Sequence, residues 1–557
     1  MSAHIKRRTA LLGLGIGAST ALLSGCLPGD RSSSAAPRKG NVTPPGGMAP
    51  GPVVRGPVRR GGRVITSWAE EALTYDPALG WDYHAWEAIS TVLNTPLLQL
   101  EGDDGGPAPS AAAALPTVSA DGRTYTIRLR PDVRFHHGRP VVAEDYVYAW
   151  TRVLDPDLAS WASSVLFNIQ GARAFNAGKA ERVVGLQRLD DHTLRVRLED
   201  PDITFLHTLC QPYMAALPRE EIKRLGKDFA RKPVGTGPFM IDSYDSSGRK
   251  AVFRRNPHYF WSGTPFIDTV EYRWGTTSEL GLLQLRKGQT DALGDGVPSS
   301  LAPQIRADPS LGRRFTKEVP ILGTGWLAIN FNRPEMRDRR VRQALNYATD
   351  RENLLKLTYG TEDPWGLPLP RDLPSFERTA TPYGYDPDRA RSLLREAGTP
   401  KLRLKYLYTP KDPWVNVSQV LQQQWQEVGI ELDLDLMSES AFDEATSAKQ
   451  GDLYPTQWIM VMPNALDLAG QCYASDGSSN YTGYGHKKVD ALLTQARRQP
   501  DEKRCNGLLA QAEELLTEDA PGVFLSSKRF VTARSPRIGD FHARGETGTY
   551  YDRLWVG

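Results

Sequence analysis

The stretch 121-DGRTYTIRLRPDVRFHHGRPVVAEDYVYAWTRVLDP-156 decides how the rest of this chain is read. It opens on a turn at Asp121-Gly122. Tyr125, Ile127 and Leu129 then alternate with Thr126, Arg128 and Arg130, the period of a half-buried strand. His137, Gly138 and Pro140 make a second turn. Beyond it Tyr146, Ala149, Trp150, Val153 and Leu154 recur at helical spacing. Glu144 and Asp145 fall in the first turn, where the helix dipole favours negative charge, and Asp155-Pro156 ends the helix. Val142, at the N-cap, offers no side-chain acceptor, a loss of about 1 kcal/mol against Ser or Thr.

Outward from this unit the same periods return. Upstream, Gly62-Arg63-Val64-Ile65 begins the globular part, and a helix is expected from about Tyr83 to Leu93. Downstream, Pro233-Val234-Gly235-Thr236-Gly237-Pro238-Phe239 sets two glycines between prolines, which predicts a tight backbone crossing. It is no phosphate loop, because a Walker A motif needs Gly-Lys-Ser/Thr. In the late part, Ala390, Leu393, Leu394 and Ala397 are spaced as one helix face, with Gly398 as the stop. Leu402, Leu404, Tyr406 and Tyr408 step by two. Val417, Val420, Leu421, Trp425 and Val428 return to helical spacing, and Ile430, Leu432, Leu434 and Leu436 step by two again. This alternation predicts a mostly parallel sheet. Asp350 is placed to cap a helix, and Lys488–Arg498 and Asp501–Asp519 read as amphipathic helices.

Beyond their periods, the residues themselves resemble a known family. The 124–150 segment is similar to the "TYTF-LRPGVKFHDGTPFTAEDV-YSW" pattern of extracellular solute-binding proteins of the oligopeptide, dipeptide and nickel class, which serve ABC importers. His137 and Val142 depart from it. Tyr75–Leu79, Pro233–Phe239, Arg255–Trp261, Gly288–Ala292 and Asp338–Leu345 also resemble family segments, so the likeness runs from about residue 62 to 530. It implies an α/β periplasmic-binding-protein type II fold with two main lobes plus an extra lobe, closing by a hinge. Lobe I would comprise 62–100, 233–322 and 521–557, lobe II 101–232, and lobe III 323–520. Ligand would be enclosed between lobes.

Carried over by position, the resemblance places ligand-binding residues at Trp81, Tyr83, Trp161, Trp458, Val461 and Asn464. For each Trp, core packing is an equally good reading. The acidic residue that pairs with a peptide's α-ammonium in the family falls at Val461. An ammonium left unpaired in a closed cleft costs several kcal/mol. Either another carboxylate, Asp467 being nearest in sequence, takes over, or the ligand lacks a free amino terminus. Blocked or cyclic peptides, oligosaccharides and other uncharged compounds then come forward. The implied function is a non-enzymatic receptor without cofactor or metal. Its partners would be a peptide-like or other small solute, the ABC permease and ATPase subunits, and the membrane through a lipid anchor. A monomer with no nucleic-acid partner is expected. The alternatives are a secreted lipoprotein hydrolase and a non-transporting sensor lipoprotein on the same fold.

The N-terminal residues read as an export signal. Lys6, Arg7 and Arg8 precede the apolar segment Ala10–Leu23, and Leu23-Ser24-Gly25-Cys26 is similar to the lipobox of bacterial lipoproteins. That likeness implies acylation at Cys26 and an extracytoplasmic protein anchored to the cell membrane. Arg7-Arg8 leaves both the Sec and the twin-arginine routes open. Residues 27–61, rich in Pro, Gly, Ser and Ala, read as a disordered tether with a reach of roughly 30 Å.

The rest of the composition excludes more than it names. With Lys+Arg 68 against Asp+Glu 65, the formal charge of +3 gives no argument for nucleic acid. No HExxH, CxxC or GxSxG motif supports metal or nucleophilic hydrolysis. His136-His137 is expected to be structural, since adjacent histidines rarely face one ion. Besides Cys26 there are Cys210, Cys472 and Cys505, and a Cys472–Cys505 disulfide is expected. Cys505 also shares an apolar face with Leu508, Leu509 and Ala512, where a buried free thiol would fit.

Overall fold

The strand Thr124–Arg128 buries Tyr125 and Ile127 as the alternation requires, inside an antiparallel sheet with Thr117–Val118, Thr193–Arg197 and Leu186–Asp190. The helix Ala143–Val153 lays Tyr146, Ala149, Trp150 and Val153 against it. Val142 gives this helix no side-chain cap. Asp145 compensates from inside the first turn, accepting the Val142 N–H at 2.9 Å, and Arg139 grips both Asp145 oxygens at 3.0 and 2.8 Å. The computed structural model describes residues 58–557 apart from 102–104, 298, 308–315, 359, 411–413, 541–542 and 545–547. Cys26, the export segment and residues 27–57 of the expected tether lie outside the described residues.

Among the described residues, a second, larger sheet of 11 strands organises the remainder. At one end Leu402–Tyr408 pairs in parallel with Ile430–Leu436 and with Leu453–Ile459. At the other, Arg63–Ser67 lies parallel to both Thr269–Arg273 and Ala292–Leu293. Two long strands, Thr316–Ile329 and Gly522–Arg534, run antiparallel to each other through the middle and join the two ends. The expected mostly parallel sheet is therefore corrected to a mixed one, because these through-running strands impose antiparallel pairing on their neighbours. Their register breaks between Pro320 and Thr324 and again between Gly325 and Trp326. Each end has its own core: Val64, Phe253, Val270 and Tyr551 at one, Leu404, Leu421, Trp425 and Leu432 at the other.

The Gly-Thr-Gly segment is the tight crossing that its glycines predict. Gly237 donates its N–H to the Leu93 carbonyl at 2.9 Å, and Thr236 accepts the Thr95 N–H on its hydroxyl at 3.1 Å and the Thr95 hydroxyl on its carbonyl at 3.2 Å. A Cβ on Gly235 would stand 2.1 Å from the Leu93 oxygen, and one on Gly237 2.4 Å from the Leu93 carbonyl carbon. His136 braces the crossing. Its Nδ1 accepts the Gly235 N–H at 3.1 Å and its backbone N–H donates to the Gly235 carbonyl at 2.9 Å. Burial pushes this imidazole down to about 3, so it is neutral. His137 is exposed.

The expected disulfide does not form. Cys472 and Cys505 are buried free thiols, as is Cys210. Cys505 lies on the buried face of the helix Glu502–Asp519 with Leu509, Ala512 and Leu516. Both thiols act as small apolar side chains of one core.

Candidate ligand-binding site

In open α/β sheets, ligands bind beyond the carboxyl ends of parallel strands. Here three such ends lie side by side, those of Arg63–Ser67, Thr269–Arg273 and Ala292–Leu293. Trp68, Trp274 and Gly294-Asp295 follow directly. Asp295 accepts the Ala69 N–H at 2.6 Å and faces His84 Nε2 at 2.9 Å. On the other side of that ring, Asp82 stands 3.6 Å from His84 Nδ1 and caps the helix Tyr83–Glu87 through the Ala85 N–H at 3.0 Å. Burial opposes a charge on His84, but its hydrogen bonds to the two carboxylates outweigh it and lift the imidazole to about 9. Trp68 packs edge-on against both Tyr83 and His84, with ring centroids 6.0 and 5.2 Å apart. Trp81 is 65% exposed and Tyr83 37%, so two aromatic faces border this ionic cluster.

The same short helix presents Trp86 to a second aromatic group. Trp86 and Tyr213 flank Trp161 with centroids 5.9 and 5.5 Å away, and Trp161 keeps 39% of its surface exposed. Two residues from Tyr213, Gln211 donates its side-chain amide to the Val461 carbonyl at 3.3 Å. Of the residues carried over by position, Trp161 and Val461 are therefore linked only through the Gln211–Tyr213 segment, while Trp81 and Tyr83 lie by the Asp295 cluster. Trp458 is part of the strand Leu453–Ile459 and packs on the core of Met460, Leu493 and Leu509. Asn464 is buried, accepting the Leu466 N–H at 2.9 Å. It shapes the loop behind the site.

Asp467 settles how the Val461 loop is held. It is 4% exposed, and one oxygen accepts the N–H groups of Val461 and Met462 at 2.6 and 3.2 Å. Burial raises this carboxyl to about 6 despite those bonds. Oδ2 is thus directed at its own loop. Among the described residues no group of three or more His, Cys, Asp or Glu is placed to hold a metal ion, and no helix is long and apolar enough to cross a membrane.

Residues 106–480 match the family described as bacterial extracellular solute-binding proteins, family 5. The chain belongs to this family. Among the relatives of this solute-binding protein, the dipeptide-binding protein DppE of Bacillus subtilis is 26% identical over 81% of this chain and 84% of its own length. A probable deoxycholate-binding periplasmic protein of Escherichia coli is 27% identical over 75% and 80%. The periplasmic binding protein DppA of Helicobacter pylori, solved with the peptide STSA, superposes with a TM-score of 0.76 at 22% identity, over 89% of this chain and 98% of that one. The fold is the periplasmic-binding-protein type II fold.

Sequence reasoning missed Trp68, Asp82, His84, Trp86, Gln211, Tyr213 and Asp295. Asp82 alone carried a local signal, standing as an N-cap before a helix. Asp295 had none: it joins His84 across 211 residues, through strand pairing that no local pattern encodes.

Proposed function

We propose that this solute-binding protein is the receptor of an ABC importer. It takes peptide-like or related polar solutes between its lobes and hands them to a membrane permease. The names of the dipeptide- and oligopeptide-binding relatives support this reading. We read the lobes as 62–100 with 233–322 and 521–557, then 101–232, then 323–520. The separate apolar cores and the crossing at 93–95 and 235–237 favour that division. Acylation at Cys26 and the tether would hold the receptor at the outer face of the cell membrane.

The observation that carries the ligand reading is Asp467. Val461 offers no charge where the family's ammonium anchor falls, and the nearest carboxylate is buried and bonded to the loop itself. We therefore assign to this position a ligand end without a free amino group, as in N-blocked or cyclic peptides. A relative named for deoxycholate, which has no ammonium, supports that latitude. The test is a thermal-shift screen of free peptides, their N-acetylated counterparts and oligosaccharides. A ligand at 100 times its dissociation constant adds about 2.7 kcal/mol of stability. Shifts confined to blocked peptides or sugars are expected. Strong shifts by free-amino peptides, lost on N-acetylation, would reject the assignment.

A further inference from the structure

We infer that ligand affinity in this protein is set partly by a latch beside the candidate ligand site, formed by Asp200 and Asp202 with Arg497 and Arg498; this rests on the receptor reading above. Arg498 donates to Asp200 at 2.9 Å and Arg497 to Asp202 at 3.3 Å. Between them the Ile203 N–H is donated to the Arg497 carbonyl at 2.9 Å. Apolar contacts cross the same seam in both directions. Ile203 packs into the core of Leu493 and Leu509, and Val461 packs onto the core of Tyr125 and Trp150. Asp202 is itself anchored, accepting the N–H and hydroxyl of Thr204 at 2.9 and 2.7 Å.

The seam joins two parts of the chain whose covalent links differ in stiffness. The crossing of 93–95 with 235–237 is locked by hydrogen bonds and has no room for even a Cβ. The long strands that lead to the 323–520 region break register twice around Gly323 and Gly325. Relative motion therefore concentrates at the long strands, and opening must part Ile203 from Arg497 and both ion pairs. The apparent affinity of a closing receptor scales with the fraction of ligand-free molecules already closed. Partly exposed ion pairs are weak one by one, so the two together are expected to change that fraction by about 2- to 30-fold.

The Ile203 amide reports the seam without any ligand. Hydrogen exchange followed by mass spectrometry on the ligand-free full chain reads it, with the Gly237 amide as the control on the locked crossing. In Arg497→Gln/Arg498→Gln, exchange of the segment holding Ile203 should rise about 2- to 30-fold while that of Gly237 stays unchanged. Raising the salt concentration on the wild type should do the same. Asp200→Arg with Arg498→Asp, a swap between half-exposed side chains, should restore protection lost in either single variant. Unchanged exchange at Ile203, a parallel rise at Gly237, or failure of the swap overturns the latch. A protein that answers to these variants but binds no solute in the thermal-shift screen would instead overturn the receptor reading.

Discussion

His136 shows how a single side chain can look like chemistry and serve architecture. Next to a second histidine it resembles a metal-ligand pair, yet its ring accepts the Gly235 N–H inside a fully buried crossing. The sign of its pH effect follows from burial. Its folded-state value, about 3, lies below the ordinary 6.5, so the unfolded chain binds a proton that the folded chain refuses. The contribution of His136 is complete above pH 6.5 and is lost as pH falls through the window from 6.5 towards 3, at about 1.4 kcal/mol per pH unit. Asp467 and Glu87, whose carboxyls are raised to about 6 and 8, slope the opposite way over part of that range. The measurement is therefore a difference. Asn presents an acceptor where Nδ1 stood and does not titrate. In urea unfolding of wild type and His136→Asn, the wild type should lose about 2 kcal/mol relative to the variant between pH 7 and pH 5. A constant difference across that range would mean that His136 titrates in the folded chain as it does in the unfolded one.

At the level of elements, what was legible was local. The period of residues 125–129 and the spacing of residues 146–153 each depend on one strand or one helix meeting one core, and both held. The helix expected from Tyr83 to Leu93 also formed, as an α-turn at Tyr83–Glu87 continued by a π-helical segment at Ala88–Leu93. The direction of the large sheet was not legible. It depends on Thr316–Ile329 and Gly522–Arg534 finding each other across the whole late part of the chain. The crossing lies between these cases, since Gly235 and Gly237 announce close approach without naming Leu93 as the neighbour. Its energetic weight is open to a paired test. Gly237→Ala forces a Cβ to within 2.4 Å of backbone and should cost about 3 kcal/mol or more. Gly507, exposed inside the helix Glu502–Asp519, meets nothing within 4 Å of such a Cβ. Gly507→Ala should instead stabilise by about 0.5–1 kcal/mol. Chemical denaturation of both variants checks the contrast, and equal effects would mean that the crossing relaxes freely.

For the whole molecule, the candidate site was legible only where one segment supplied it. Trp81, Tyr83 and Trp161 were placed by resemblance of nearby segments, whereas the His84–Asp295 contact needed the finished sheet. The same sheet supplies the joint. Thr316–Ile329 and Gly522–Arg534 span both ends, and their pairing slips between Pro320 and Thr324. Gly323 and Gly325 sit at the slip because a Cβ there would come within 3.0 Å of the Trp458 carbonyl or 2.8 Å of the Ser526 hydroxyl. A bulge leaves ladder positions unpaired and bends the strand, so it is where a continuous sheet yields most easily. Beyond it, Trp326, Leu327, Ala328 and Ile329 are all buried and paired on both edges or in core contact. If the joint carries lobe motion, ligand-free hydrogen exchange should be about tenfold or more faster over residues 321–325 than over 326–329. A bound solute should narrow that gap by holding the two ends of the sheet in one orientation. Uniform protection along 321–329 would move the hinge elsewhere, and with it the reason that parting Asp200 and Asp202 from Arg497 and Arg498 should open the site.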